Sequence, residues 1–137
     1  GILKKELASN IKNLNLSKNV KLINFLKNPY PIINQSNLII LSSRYEGLPN
    51  VLLEALVLKK FIISSNCRTG PKEILNNGKG GYLFKVGDHN DLANKIMFYN
   101  KNKNLCKSMI NFSYKNLKRF DLETNLKKYL KLVNKHL

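Results

Sequence analysis

The stretch 37–65, "NLIILSSRYEGLPNVLLEALVLKKFIISS", contains two short apolar runs with a longer apolar segment between them. Runs 37–43 and 60–65 are continuous and apolar and end in paired serines, as expected of strands buried on both faces of a sheet. Segment 49–58 is predicted to be a helix, with Pro49 in its first turn, where a missing N–H is no loss. Two buried strands joined by a helix predict an α/β fold with a parallel sheet.

Similar elements flank this unit on both sides. Apolar spacing predicts helices at 3–14, 31–36, 71–76, 88–99, 104–118 and 122–135, and further strands at 19–26 and 80–86. Within "GDHND" (87–91), Asp88 is better interpreted as the cap of the following helix than as a metal ligand. We therefore expect a Rossmann-like, mainly parallel sheet flanked by helices, with a core over 1–100 and closing helices over 104–137. Gly1 leads straight into a helix, so we expect a single partial domain whose sheet lacks its opening strand or strands.

Composition limits the function classes. The chain has 137 residues, 43% of them hydrophobic, which suits one globular domain. No apolar run approaches the roughly 20 residues of a membrane span. The net charge is +16, yet arginine forks and aromatic platforms typical of nucleic-acid surfaces are absent from the sequence, so we expect no nucleic-acid partner. The isolated Cys67 and Cys106 predict reduced thiols in a cytoplasmic protein, with Cys67 expected to be packed, and His89 and His136 are expected at the surface.

Two glutamates bracket the start of the predicted helix 49–58. Ligands of parallel α/β sheets bind beyond the carboxyl ends of the strands, and the free amides of Asn50, Val51 and Leu52 predict a phosphate site there. Glu54 lies one turn further along a very apolar helix, where an unpaired carboxylate is costly, so it should have a partner. Two interpretations stay open: Glu46 and Glu54 accept sugar hydroxyls, or Glu46 caps the helix while a lysine pairs with Glu54.

The order of these residues resembles a known family. The pattern S-x-Y-E-G-x-P-x-x-x-x-E-A is met from Ser43 to Ala55, with "VKLINFLKNPYP" before it and "FIISSNCRTGPKEIL" and "GGYLFKVGD" after it. It resembles the C-terminal, nucleotide-sugar-binding domain of GT-B glycosyltransferases, family 4 of the retaining enzymes, over residues 1 to about 96. The resemblance implies transfer of a hexose or N-acetylhexosamine, from a UDP-sugar donor, in cytoplasmic synthesis of bacterial surface glycans, without metal or cofactor.

The resemblance also implies roles for residues. Glu54 would bind the ribose and Glu46 the donor sugar. Residues 47–52 would line the diphosphate, Thr69 and Gly70 would belong to the neighbouring loop, with Glu73 beside it, and Tyr30 is a weaker candidate for a contact with the nucleobase. The predicted donor site thus comprises Tyr30, Glu46, Gly47, Leu48, Pro49, Asn50, Val51, Leu52, Glu54, Thr69 and Gly70. The basic residues that neutralise the diphosphate in this family, and its N-terminal acceptor-binding domain, would precede Gly1, so we expect no turnover by this chain alone. The remaining alternatives are a fragment of a GT-B sugar-nucleotide epimerase, or a basic α/β module that binds nucleic acid or anionic membrane without catalysis.

The last predicted helix is basic and amphipathic. Its lysines and apolar residues alternate at helical spacing: Leu126, Lys127, Lys128, Tyr129, Leu130, Lys131, Val133 and Lys135. Such a helix can lie on an anionic bilayer, which would give the enzyme a peripheral membrane contact. The simpler interpretation, which we prefer, is a helix packed on the core with its lysines in water.

Overall fold

A computed structural model describes residues 2–136, without the side chain of His136. Within that range three strands, β1 (Leu38–Leu41), β2 (Phe61–Ser65) and β3 (Tyr82–Phe84), form one parallel sheet in the order β1-β2-β3. Ile39 pairs with Ile62, and Ile63 pairs with Tyr82. The predicted α/β class with a parallel sheet flanked by helices is confirmed.

Helices occupy most of the remaining described chain. They are α1 (Lys4–Asn13), α2 (Tyr30–Gln35), α3 (Asn50–Val57), α4 (Pro71–Ile74), α5 (His89–Lys101), α6 (Lys103–Lys115) and α7 (Leu122–His136), with a 3-10 turn at Leu117–Phe120. Each corresponds to a predicted helix, with ends that differ by a few residues. The prediction for Asp88 is confirmed, since its carboxylate accepts a hydrogen bond of 2.9 Å from the Asp91 N–H at the start of α5.

The core lies on both faces of β2, whose five residues are all buried. Ile62 packs on one face with α2, α3 and α4, through Ile33, Leu52, Leu56 and Ile74. Phe61 and Ile63 pack on the other face with Phe84, Tyr99 and Cys106. Burying side chains of this size contributes about 1.5–3 kcal/mol each. The central strand therefore positions its polar carboxyl end against a rigid core.

The strand predicted at 19–26 is wrong, because residues 20–26 have no regular structure and are exposed, with Phe25 at 93%. A strand needs a paired neighbour to satisfy its backbone groups. In residues 2–136 the sheet contains only β1, β2 and β3, and none of them pairs with this segment. The alternating apolar pattern was therefore insufficient to make a strand.

The prediction that the last helix packs on the core is also wrong for the part of the chain that the structure describes. Helix α7 adjoins the 3-10 turn, and its leucines are exposed, from Leu122 at 81% to Leu130 at 49%, while Val133 is half-buried. Neither core cluster includes an α7 residue, because α3, α5 and α6 already cover the sheet. The result is an amphipathic helix with an open apolar face.

Other predictions can be located directly. Cys67 is free and buried, as predicted for a packed thiol, Cys106 is free and buried too, and His89 is exposed, as predicted. The prediction for the His136 side chain lies outside the described residues, as does Gly1. No helix among the residues described combines the length and apolarity that a membrane crossing requires.

Candidate functional site

Two loops meet at the carboxyl ends of β1 and β2. Residues 42–49, called here the β1–α3 loop, run beside residues 66–70, the β2–α4 loop. At the end of β2, Ser65 Oγ donates a 2.6 Å hydrogen bond to the Ser43 carbonyl. Further along, Thr69 Oγ1 donates to the Glu46 carbonyl. The end of β2 and the β2–α4 loop therefore hold the β1–α3 loop at two backbone positions.

A glycine allows the loops to touch. Gly70 has φ +83°, and a Cβ at this position would lie 2.0 Å from the Gly47 carbonyl oxygen and 2.6 Å from Pro49 Cδ. Real Cβ atoms do not approach backbone atoms so closely, so the contact depends on a missing side chain. Gly47 differs, because a Cβ there would meet nothing within 4 Å. The space over Gly47 is open to a ligand.

The N-terminus of α3 leaves two backbone donors unpaired. Pro49 is the N-cap, not a first-turn residue as predicted, and it offers no side-chain cap. Among the described residues, no acceptor is found for the N–H groups of Asn50 and Val51. The predicted free amide of Leu52 is wrong, because this N–H donates to the Pro49 carbonyl at 3.0 Å, and its side chain is fully buried. Two free amides with a helix dipole behind them favour a bound anion.

Glu54 lies about one turn along α3 from those amides. It follows Val51 by three residues and Asn50 by four, the spacing that places its side chain on the same helix face as theirs. Glu54 is half-buried, yet among the described side chains its carboxylate has no hydrogen bond and no ion pair, the two ion pairs there being Lys95–Asp91 and Lys127–Glu123. The interpretation with a capping Glu46 and a lysine-paired Glu54 is therefore wrong for the described chain.

The remaining predicted site residues differ in position. The structure brings Glu46 and Gly47 together with Thr69 and Gly70. Glu73 lies exposed on α4. Tyr30 opens α2, which packs against α3, but none of the described hydrogen bonds joins its hydroxyl to either loop. Leu48, in the β1–α3 loop, and Asn50, the first residue of α3, are exposed.

Sequence reasoning missed Ser65, which is fully buried and bonded to Ser43. The available signal was a polar pair ending an otherwise apolar strand. Residues 2–136 contain no group of three or more His, Cys, Asp or Glu side chains that could hold a metal ion.

Comparisons with known proteins identify the family. The model of the family "Glycosyl transferases group 1" matches residues 1–116. A poly(ribitol-phosphate) alpha-N-acetylglucosaminyltransferase of Staphylococcus aureus is 28% identical over 98% of this chain and 27% of its own length. An N-acetylgalactosamine-N,N'-diacetylbacillosaminyl-diphospho-undecaprenol 4-alpha-N-acetylgalactosaminyltransferase of Campylobacter jejuni is 30% identical over 88% of this chain and 33% of its own length. The chain thus spans about a third of such relatives or less.

A solved structure gives the same result. The S. aureus TarM variant crystallised with UDP and other ligands superimposes with a TM-score of 0.85, at 28% identity, over 96% of this chain and 27% of its own. The residues matched by the family model, 1–116, include both loops and α3. The chain belongs to the glycosyl transferases group 1 family.

Proposed function

We propose that this chain is the donor-binding part of a retaining, family 4 glycosyltransferase that takes a hexose or N-acetylhexosamine from a UDP-sugar. The enzyme would act in the cytoplasm, in bacterial surface glycan synthesis. The names of the two relatives and the UDP in the TarM crystal support the sugar class and the nucleotide. The observation that carries the proposal is the half-buried Glu54, whose carboxylate has no partner among the described side chains and which lies about one turn along α3 from two free amides.

Each group has a role that its chemistry allows. Glu54 accepts the ribose hydroxyls, while the Asn50 and Val51 amides and the α3 dipole bind the diphosphate. Gly47 gives the diphosphate room, with Leu48 and Pro49 beside it, and Glu46 accepts hydroxyls of the donor sugar. In the reaction the bond between the sugar C1 and the diphosphate oxygen breaks with its electron pair staying on UDP, the acceptor oxygen bonds to C1, and the acceptor proton passes to the released diphosphate. The amides stabilise the charge that develops on UDP. No metal or cofactor takes part.

The acceptor would be bound by another domain of the intact enzyme, since the chain spans 27–33% of the two relatives. We therefore expect the chain alone to bind UDP and to transfer no sugar.

Isotope-labelled protein titrated with UDP, UDP-N-acetylglucosamine and GDP tests the proposal by NMR. We expect the amide signals of residues 45–55 to shift with uridine nucleotides, in EDTA and at both low and high salt. A basic module that tracks phosphates would lose its affinity steeply with salt. Folded protein that responds to no nucleotide, or equally to RNA, would contradict the donor-binding role. A UDP-sugar epimerase would share the binding, and product analysis with the intact enzyme separates it from a transferase.

A peripheral contact with anionic membrane is supported by α7. Leu126 and Leu130 are exposed on its apolar face, and Lys127 and Lys131 lie on the same helix. Anionic lipid attracts such lysines while the apolar face enters the headgroup boundary. We expect co-sedimentation with phosphatidylglycerol vesicles but not with phosphatidylcholine vesicles, and loss of binding in a Leu126→Asp, Leu130→Asp variant. If the wild-type protein sedimented with neither type of vesicle, the membrane contact would be contradicted.

A further inference from the structure

We infer that Thr69 is a positioning residue, not a donor ligand, and that its hydroxyl presets the β1–α3 loop before any ligand binds. The inference rests on the proposed function, because that loop carries Glu46 and Gly47. It assigns the β2–α4 loop the role of a template for the donor-binding loop.

The first support is a pair of hydroxyl contacts. Thr69 Oγ1 donates to the Glu46 carbonyl, and Ser65 Oγ donates to the Ser43 carbonyl at 2.6 Å. The accepting segment has no regular secondary structure, so its backbone direction depends on such contacts. Holding the Glu46 carbonyl also fixes the direction in which the Glu46 side chain leaves the backbone. The Thr69 hydroxyl proton is used in this bond and is therefore not available to a ligand.

The second support is the close approach of Gly70. Its φ of +83° and the absence of a Cβ bring its backbone against the Gly47 carbonyl and the Pro49 ring. The hydrogen bond from Thr69 and this contact act on consecutive residues, Glu46 and Gly47. Together they leave the loop little freedom to move away from the template.

The template is itself anchored at both ends. Cys67 is 3% exposed, and its sulfur lies 3.8 Å from the Thr69 carbonyl. At the far end of α4, Arg119 Nη2 donates to the Glu73 carbonyl at 2.6 Å and to the Ile74 carbonyl at 3.0 Å. The Thr69 hydroxyl therefore projects from a segment that is held by the core and by the 3-10 turn.

A preset loop binds more tightly because less ordering is left to the ligand. The parts of the donor that are bound more tightly are those that the β1–α3 loop contacts, namely the diphosphate and the donor sugar. Ribose recognition by Glu54 belongs to α3 and should be independent of Thr69. The loss of the hydroxyl should thus weaken UDP more than UMP, which lacks the second phosphate.

Thr69→Val removes the donor while keeping the side-chain shape, and Thr69→Ser keeps the donor. We expect Thr69→Val to bind UDP about fivefold to tenfold more weakly, as for the loss of one hydrogen bond. UMP affinity should stay unchanged, and Thr69→Ser should bind both as the wild type does. In ligand-free protein the Glu46 carbonyl carbon signal should move in the valine variant only.

Three results would overturn the inference: wild-type UDP affinity in Thr69→Val, an equal loss for UMP and UDP, or a serine variant as weak as the valine variant. An unmoved Glu46 carbonyl signal would overturn it without any ligand. Failure of the proposed function has a different signature, since the folded wild type would then bind neither nucleotide, and the positioning role would fall with it.

Discussion

Gly70→Ala is the substitution whose cost follows most directly from the loop geometry. The residue has φ +83° and ψ −73°, a conformation that costs an L-residue about 1–3 kcal/mol. The new Cβ would also lie 2.0 Å from a backbone oxygen, so the two loops must separate. Overpacking of this kind typically costs a further amount of about 1–3 kcal/mol. We expect the free energy of unfolding to fall by about 2–6 kcal/mol, a large part of the roughly 5–15 kcal/mol that keeps a domain folded.

Two glycines provide matched controls for a urea denaturation series. Gly87 has φ +80°, but a Cβ there meets nothing within 4 Å, so Gly87→Ala measures the backbone strain alone. Gly47 has neither a positive φ nor a close neighbour, and Gly47→Ala should change stability by less than about 0.5 kcal/mol. The expected order of destabilisation is Gly70→Ala, then Gly87→Ala, then Gly47→Ala. If Gly70→Ala were no worse than Gly87→Ala, the close approach of the two loops would be refuted.

Two further predictions concern titratable groups. Burial, together with a 3.7 Å contact to Cys106, raises the pKa of Tyr82 from 10.0 to about 12, so the neutral phenol is favoured in the folded state. The stability that comes from this shift is fully present below pH 10 and is lost as pH rises from 10 to about 12. Thermal unfolding of Tyr82→Phe should not show this loss of stability between pH 10 and about 12. Identical pH profiles of thermal stability in the variant and the wild type would contradict the raised pKa. At the start of α7, hydrogen bonds from Thr124 hold the pKa of the Asp121 carboxyl below its usual value. The ionised carboxylate therefore stabilises the helix at any pH above that usual value, and this stabilisation is lost as the pH falls through the lowered pKa of the folded state. Asp121→Ala should lower the helical carbon shifts of α7 and Asp121→Asn should largely keep them; equal shifts in both variants would count against this cap.

The elements that the sequence predicted well are those with local signals. Strand β2 and helix α3 are short, apolar and bounded by Ser, Pro and Lys residues, so composition and spacing were enough. Segment 19–26 had an alternating apolar pattern and did not form a strand, because a strand also requires a neighbour, which is a property of the whole sheet. Helix α7 was predicted in its extent but not in its packing, since its apolar spacing does not say which surface covers it.

In the candidate site, too, features with local signals could be predicted, whereas contacts between distant residues could not. The sequence predicted a partner for Glu54 from its apolar surroundings, but the half-buried residue has none among the described side chains. The contacts from Ser65 and Thr69 could not be predicted, because they join residues 22 and 23 positions apart in the chain. The occupied amide of Leu52 was missed because it depends on the tightened first turn after Pro49.

The most direct test of donor binding compares UDP with 2'-deoxy-UDP on the wild type and on Glu54→Gln, with Glu73→Gln as an exposed control. A hydrogen bond to a carboxylate is worth about 1.5–3 kcal/mol, so the wild type and the Glu73 variant should prefer UDP by about tenfold to a hundredfold. Glu54→Gln should bind UDP more weakly and should lose most of this preference for the 2'-hydroxyl. An undiminished preference in Glu54→Gln would show that this carboxylate does not bind the ribose.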